Sequence, residues 1–163
     1  MSGILLLWVG RRGTPPWDAL AREYEGRLER FVPFSAVRVR PAAGRRGDPA
    51  RALAEEAAAV RRHLSRDDVL AVLDEGGRER TTEALAAWLE EYRHPGRRLV
   101  LVIGSDLGLD AGLKKEAREI VSLSKLTLPH QLARVLLLEQ LYRCFDLLAG
   151  GPYHRGGGAR SEV

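Results

Sequence analysis

This chain predicts an α/β fold: one domain built on a mostly parallel sheet with helices on both faces. Two observations carry that prediction. Five short strand-like runs alternate with longer segments whose apolar residues recur every three or four positions, the grammar of strands joined by crossover helices. The length of 163 residues and the 45% hydrophobic content suit a single core, and neither an internal repeat nor a second domain is visible.

The elements follow in order. Residues 4–9 are apolar throughout and stop at the turn residues 10–16, which makes them a buried strand. Trp17, Leu20, Tyr24, Leu28 and Phe31 then form the apolar stripe of a first helix that tolerates Gly26. Residues 34–39 read as a second strand, and 41–47 as a basic loop. Asp48 is placed to cap the next helix, with Pro49 at its first position and Leu53, Ala57, Val60 and Leu64 along it. Residues 69–73 form a third strand closed by a turn over 74–77. Thr81 or Thr82 caps a helix bearing Leu85, Trp88, Leu89 and Tyr92, and 99–103 make the fourth strand. A loop over 104–108, a short helix over 110–118 and a short strand over 120–123 follow. After Pro129 a long helix runs to about Ala149, with Leu132, Val135, Leu136, Tyr142 and Phe145 on its apolar side. Gly156 to Gly158 open a tail, about 156–163, that is expected to be flexible.

Composition narrows the function. No run of about 18 uncharged apolar residues exists, and 4–9 is too short for a secretory leader, so a soluble cytoplasmic protein is expected. Cys144, the single cysteine, has no partner for an intrachain disulfide and reads as a small core residue rather than a catalytic thiol. The formal charge is +4, and 23 of the 26 basic residues are arginine, several in pairs: Arg11-Arg12, Arg45-Arg46, Arg61-Arg62 and Arg97-Arg98. Such pairs suit RNA phosphate when they lie on loops, since guanidinium donates two parallel hydrogen bonds; on a helix they are equally an ordinary solvated surface. There is no Gly-rich loop ending in Lys-Ser or Lys-Thr, no helical histidine pair and no cysteine cluster, which argues against nucleotide hydrolysis and metal chemistry. His63 and His94 read as surface residues, and His130 as a capping or packing residue at a helix start.

In open α/β sheets ligands sit outside the carboxyl ends of strands. The segments there are Leu73, Gly104, and the apolar loop Leu123, Ser124, Lys125, Leu126, Thr127 and Leu128. Leucines that sandwich a base, loop backbone that reads its edge and a glycine that admits the ligand would together hold an adenine. The same leucines are equally core residues, and Gly104 equally a turn glycine.

The C-terminal third is more specific. The runs Leu123-Ser124-Lys125-Leu126-Thr127-Leu128-Pro129-His130-Gln131-Leu132-Ala133-Arg134, Leu138-Glu139-Gln140-Leu141-Tyr142-Arg143 and Pro152-Tyr153-His154-Arg155 closely resemble the RlmH family, bacterial 23S ribosomal RNA pseudouridine N3-methyltransferases of the SPOUT superfamily. Val9-Gly10, the 42–47 loop, Leu73-Asp74 and Val102-Ile103-Gly104 add to the likeness, which covers essentially the whole chain. The resemblance implies S-adenosylmethionine as cofactor on Leu73, Gly104 and the loop Leu123 to Leu128. It also implies a homodimer acting on the large ribosomal subunit, and a deep C-terminal trefoil knot in a cofactor-binding part over about 69–155. Periodicity alone would draw an unknotted sheet, because true knots are exceptions to the rules of connection.

The chain departs from the family at Gly104-Ser105-Asp106-Leu107-Gly108, where a second glycine and a small residue usually follow the first. If that second glycine uses positive φ, Ser105 is strained; Asp106 either repels RNA or contacts the sulfonium or a ribose hydroxyl. Tyr153, His154 and Arg155 are the expected catalytic tail, with His154 moving the imide proton and Arg155 steadying oxygen charge or phosphate, and Gly150 and Gly151 letting the tail move. Arg45 and Arg46 are expected on RNA phosphate. Arg134 either contacts RNA or, like Arg143, pairs with Glu139. The competing reading is a ribosome-associated RNA-binding factor of the same fold, without methyl transfer because of Ser105 and Asp106.

Overall fold

The computed structural model describes residues 2–43, 46–93 and 96–154. Arg45, His94, Arg155 and the glycine tail, all named above, lie outside the described residues. Strands β1 (Gly3–Val9), β2 (Phe34–Val39), β3 (Val69–Glu79), β4 (Arg98–Ile103) and β5 (Glu119–Ser122) alternate with helices α1 (Pro15–Leu28), α2 (Pro49–Arg61), α3 (Thr82–Glu91), α4 (Ala111–Glu116) and α5 (His130–Leu148). The strands form one sheet in the order β2-β1-β4-β3-β5, and every pairing is parallel. The α/β class and the single domain read from the sequence are therefore the ones observed.

The period of two in β1 divides its side chains between two cores. Ile4, Leu6 and Trp8 join α1, α3 and α5 on one face, while Leu5, Leu7 and Val9 join α2 and α4 on the other. Leu6 and Leu7 are both fully buried, and each contributes about 1.5–3 kcal/mol by leaving water. Helix starts follow their capping residues. The carboxylate of Asp48 accepts from the Arg51 N–H at 3.0 Å, the Thr81 hydroxyl from Ala84 at 3.2 Å, and Asp110 from Leu113 at 3.0 Å. Thr81, not Thr82, is thus the cap of α3.

Three expectations are corrected. The turn expected at 74–77 is an irregularity inside β3: Val121 of β5 pairs with Leu73 before it and with Arg78 after it. Gly77 permits this, because a Cβ there would lie 2.6 Å from the Ile120 carbonyl oxygen. On α1, Leu28 is buried and Tyr24 packs against the core as expected, but Leu20 is 43% exposed and Ala21 faces the core in its place. On α5 the inward set is Ala133, Leu137, Leu138, Leu141, Cys144 and Phe145, while Leu132 is 37% exposed. That helix is apolar on more than one side, so its spacing alone does not say which side the sheet takes. Cys144 is the core residue expected of it; burial first, and then the charge of Glu139, push its thiol up to about 12. Among the described residues no helix is long and apolar enough to cross a membrane.

Candidate functional site

A cleft of about 760 Å³ opens at the carboxyl ends of β3, β4 and β5. Its walls come from three connections: Leu73 to Glu75 within β3, Ile103 to Leu109 after β4, and the stretch after β5 that runs into α5 as far as His130 and Ala133. Of the residues expected to hold a cofactor, Leu73, Gly104, Leu123, Ser124, Leu126, Thr127 and Leu128 line it. Lys125 does not: its side chain is 82% exposed, with the ammonium 3.9 Å from Glu79. The sequence reading missed Asp74, Lys114 and His130, which also line the cleft.

The loops carry their own fastenings. The Ser122 hydroxyl donates to the Ser124 carbonyl at 2.9 Å, and the Ser124 hydroxyl accepts from the Leu126 N–H at 3.0 Å. The Thr127 hydroxyl donates to Glu75 at 2.6 Å, tying the loop after β5 to the irregular stretch of β3. Asp74 accepts from the Gly76 N–H at 2.9 Å and pairs with Lys114. Burial opposes the charge of Asp74, but the Lys114 ammonium and the Gly76 N–H outweigh it and hold this carboxyl below the usual range.

Gly104 has a reason that composition did not show. The chain folds back on itself so that Gly108, at φ +87°, donates its N–H to the Ser105 carbonyl at 2.9 Å. A Cβ on Gly104 would then lie 2.4 Å from the Gly108 oxygen and 2.8 Å from Leu109 Cγ. The loop itself demands glycine there, before any ligand does. Ser105 is unstrained, since no non-glycine residue among those described has positive φ. It is 8% exposed; its hydroxyl donates to Glu56 at 2.7 Å and accepts from the Leu107 N–H at 3.3 Å.

Beside the cleft, Trp8 has two ring partners. His130 stacks on it with ring centroids 6.5 Å apart and planes 19° from parallel, and the Arg134 guanidinium sits 4.4 Å from its centroid. Arg134 donates to Asp18 at 2.8 Å and to Glu25 at 3.3 Å, and is only 6% exposed. Expected to meet RNA or Glu139, it is instead held inside this chain by Asp18 and Glu25 on α1, while Arg143 pairs with Glu139 as expected. Arg46, by contrast, is exposed.

Of the expected catalytic tail, Tyr153 and His154 do not line the cleft of their own chain. The Tyr153 N–H donates to Asp146 at 2.8 Å, and its hydroxyl donates to Glu139 at 3.2 Å, beside the Tyr24 hydroxyl at 3.5 Å. The hydrogen bond with Tyr24, then burial, raise the Tyr153 hydroxyl well above the usual range. His154 Nε2 lies 2.8 Å from Glu83 at the start of α3. A hydrogen bond from the Glu83 N–H, followed by the one with His154, holds the Glu83 carboxyl below its usual range. Among the described residues no group of three or more His, Cys, Asp or Glu is arranged to hold a metal ion.

Known proteins bear on this arrangement. The family described as "Predicted SPOUT methyltransferase" matches residues 3–154. A protein of Solidesulfovibrio magneticus named "Ribosomal RNA large subunit methyltransferase H" is 40% identical over 155 residues, covering 94% of this chain and 99% of the relative. Proteins of the same name from Gloeobacter violaceus (39% identical; 94% and 99% covered) and Verminephrobacter eiseniae (41% identical; 93% and 98% covered) are similar to the same extent. With a full-length match of this kind, and a three-walled cleft at the carboxyl ends of parallel strands, the chain belongs to the SPOUT methyltransferase family.

Proposed function

We propose that this chain is a cytoplasmic enzyme that methylates N3 of a pseudouridine in the 23S RNA of the large ribosomal subunit, with S-adenosylmethionine as cofactor and as a homodimer. The observation that carries the reading is the cleft bounded by Leu73, Gly104 and the loop after β5, in a chain whose relatives are named ribosomal RNA large subunit methyltransferases.

The residues fit the cofactor. About 760 Å³ is within the usual range for small-molecule sites, and Leu73, Leu123 and Leu128 offer apolar walls to an adenine. Asp74, Glu75 and Asp106 outnumber Lys114 around the cleft, a balance that suits a positively charged ligand. Bound there, S-adenosylmethionine supplies a methyl group on a positive sulfur that is left as a neutral thioether. The chain's part is to hold the acceptor nitrogen in line with that methyl group, and orientation of this kind supplies up to roughly 7–11 kcal/mol of rate advantage. The acceptor imide must also lose its proton, which we assign to His154, with Tyr153 and Arg155 beside it. Because His154 and Tyr153 lie away from the cleft of their own chain, the tail serves the cleft of a second copy. The exposed leucines Leu20 of α1 and Leu132 of α5 support pairing of two copies. Arg45 and Arg46 are assigned to RNA phosphate, and the knotted, cofactor-binding part to residues 69–155.

The RNA-binding alternative rested on Ser105 and Asp106, and neither has positive φ, so the strain expected of Ser105 is absent. Calorimetric titration with S-adenosylmethionine, followed by mapping of methyl groups on large subunits that lack the modification, tests the proposal. Saturable binding with a methyl placed on N3 of one pseudouridine is the expected result; no binding, or binding without transfer, defeats it. His154→Ala should slow single-turnover methylation by about a hundredfold or more, the usual contribution of a proton-transfer residue, and leave cofactor affinity within about twofold. Turnover at the native rate would remove the role from His154.

A further inference from the structure

A buried carboxylate outside the cleft is unused by the mechanism above. Glu56 lies on α2 and is 3% exposed, among Ala52, Ala57 and Val60, which face the same interior. Glutamate is almost never buried to this degree without partners, and an apolar residue would fill such a place at lower cost. Its two oxygens serve two different loops. Oε1 accepts from the N–H of Ala42, in the loop that follows β2 and carries Arg46. Oε2 accepts from the hydroxyl of Ser105, in the loop that forms one wall of the cleft. The same hydroxyl accepts from the Leu107 N–H, so the acceptor at Glu56 also sets the shape of the 104–108 turn. In the sheet β1 stands between β2 and β4, so the strands that precede these two loops share no ladder of their own.

We infer that Glu56 is a positioning residue that couples the cleft to the basic loop after β2, so that cofactor in the cleft and RNA phosphate on that loop strengthen each other's binding. The inference rests on the methyltransferase reading above. A ligand against Gly104, Ser105 and Leu107 restrains the turn. The restrained Ser105 hydroxyl holds the Glu56 carboxylate, and the carboxylate holds the Ala42 amide. A coupling between two binding events is reciprocal, so RNA phosphate on the loop must favour cofactor by the same factor.

Hydrogen exchange of the full-length protein tests this without any activity measurement. In the native chain, saturation with S-adenosylmethionine should slow exchange of the Ala42 amide at least about fivefold, the lower end of ordinary coupling. Ser105→Ala removes the link on the cleft side and is small enough to keep the fold. At a cofactor concentration that calorimetry shows to saturate this variant, the slowing at Ala42 should be lost. Glu56→Gln keeps one oxygen for the Ala42 N–H but offers Ser105 no carboxylate. Its exchange without ligand should stay near native, and the response to ligand should vanish. A purely structural role would raise exchange equally with and without ligand. Cofactor binding with no change at Ala42 in the native protein, or an undiminished change in Ser105→Ala, overturns the coupling alone. Absence of cofactor binding by the native protein overturns the methyltransferase reading and the coupling with it.

Discussion

Gly104→Ala should lower affinity for S-adenosylmethionine by about a hundredfold, equivalent to about 3 kcal/mol. The added methyl lies 2.4 Å from the Gly108 oxygen, a backbone atom that no rotamer change moves aside. The turn must therefore open, which displaces the wall formed by Ser105 to Leu109. Overpacking of this kind costs about 1–3 kcal/mol of stability as well. Gly108→Ala is the informative comparison. Gly108 has φ +87° but nothing within 4 Å of its missing Cβ, so the substitution carries only the modest strain of a left-handed residue, about 1–2 kcal/mol. Calorimetry and thermal melting of both variants decide the matter: near-native affinity in Gly104→Ala would show that the turn is not a wall of the cofactor site.

Arg134→Ala should destabilise the chain by about 1.5–3 kcal/mol, because it removes charged hydrogen bonds to Asp18 and Glu25, whose partly exposed carboxylates turn to water in its absence. For a chain of this size that corresponds to a melting temperature lower by about 3–12 °C. It also uncovers the Trp8 face on which the guanidinium lies. Arg134→Lys should recover only part of the loss, since an ammonium keeps the charge but cannot both span two carboxylates and stack on an indole. Melting curves give the answer. If Arg134→Ala melts like the native protein and loses only RNA affinity, the guanidinium meets phosphate after all and the buried pairing is not what keeps it.

The fold was readable because its strands are apolar and its helices periodic: β2 spans the residues expected of it, and the other elements begin within two residues of expectation. The end of β3 was not readable. Asp74 to Gly77 have turn composition, yet pairing with β5 resumes at Arg78, a long-range contact that local composition does not encode. The cleft was legible from the general placement of ligands at strand ends, which groups Leu73, Gly104 and the loop after β5 on sequence order alone. What escaped were pairings across great stretches of chain. Arg134 with Asp18, Trp8 with His130 and Glu56 with Ser105 each join residues that no periodicity relates. A glutamate among alanines on α2 was the one visible hint of the last of these.

The position of β1 bears on how the chain reaches this structure. β1 pairs with β2 soon after both are made, but its other edge waits for β4, with Gly3 meeting Arg98. More than half of the chain must be synthesised before that edge is covered, and the strand left open in the meantime is Gly-Ile-Leu-Leu-Leu-Trp-Val. Parallel pairing at such separation is slow to form, and an apolar strand edge is a template for pairing with other chains. The vulnerable species is therefore the growing polypeptide, and its yield in the cell should depend on how quickly β4 follows β1 out of the ribosome.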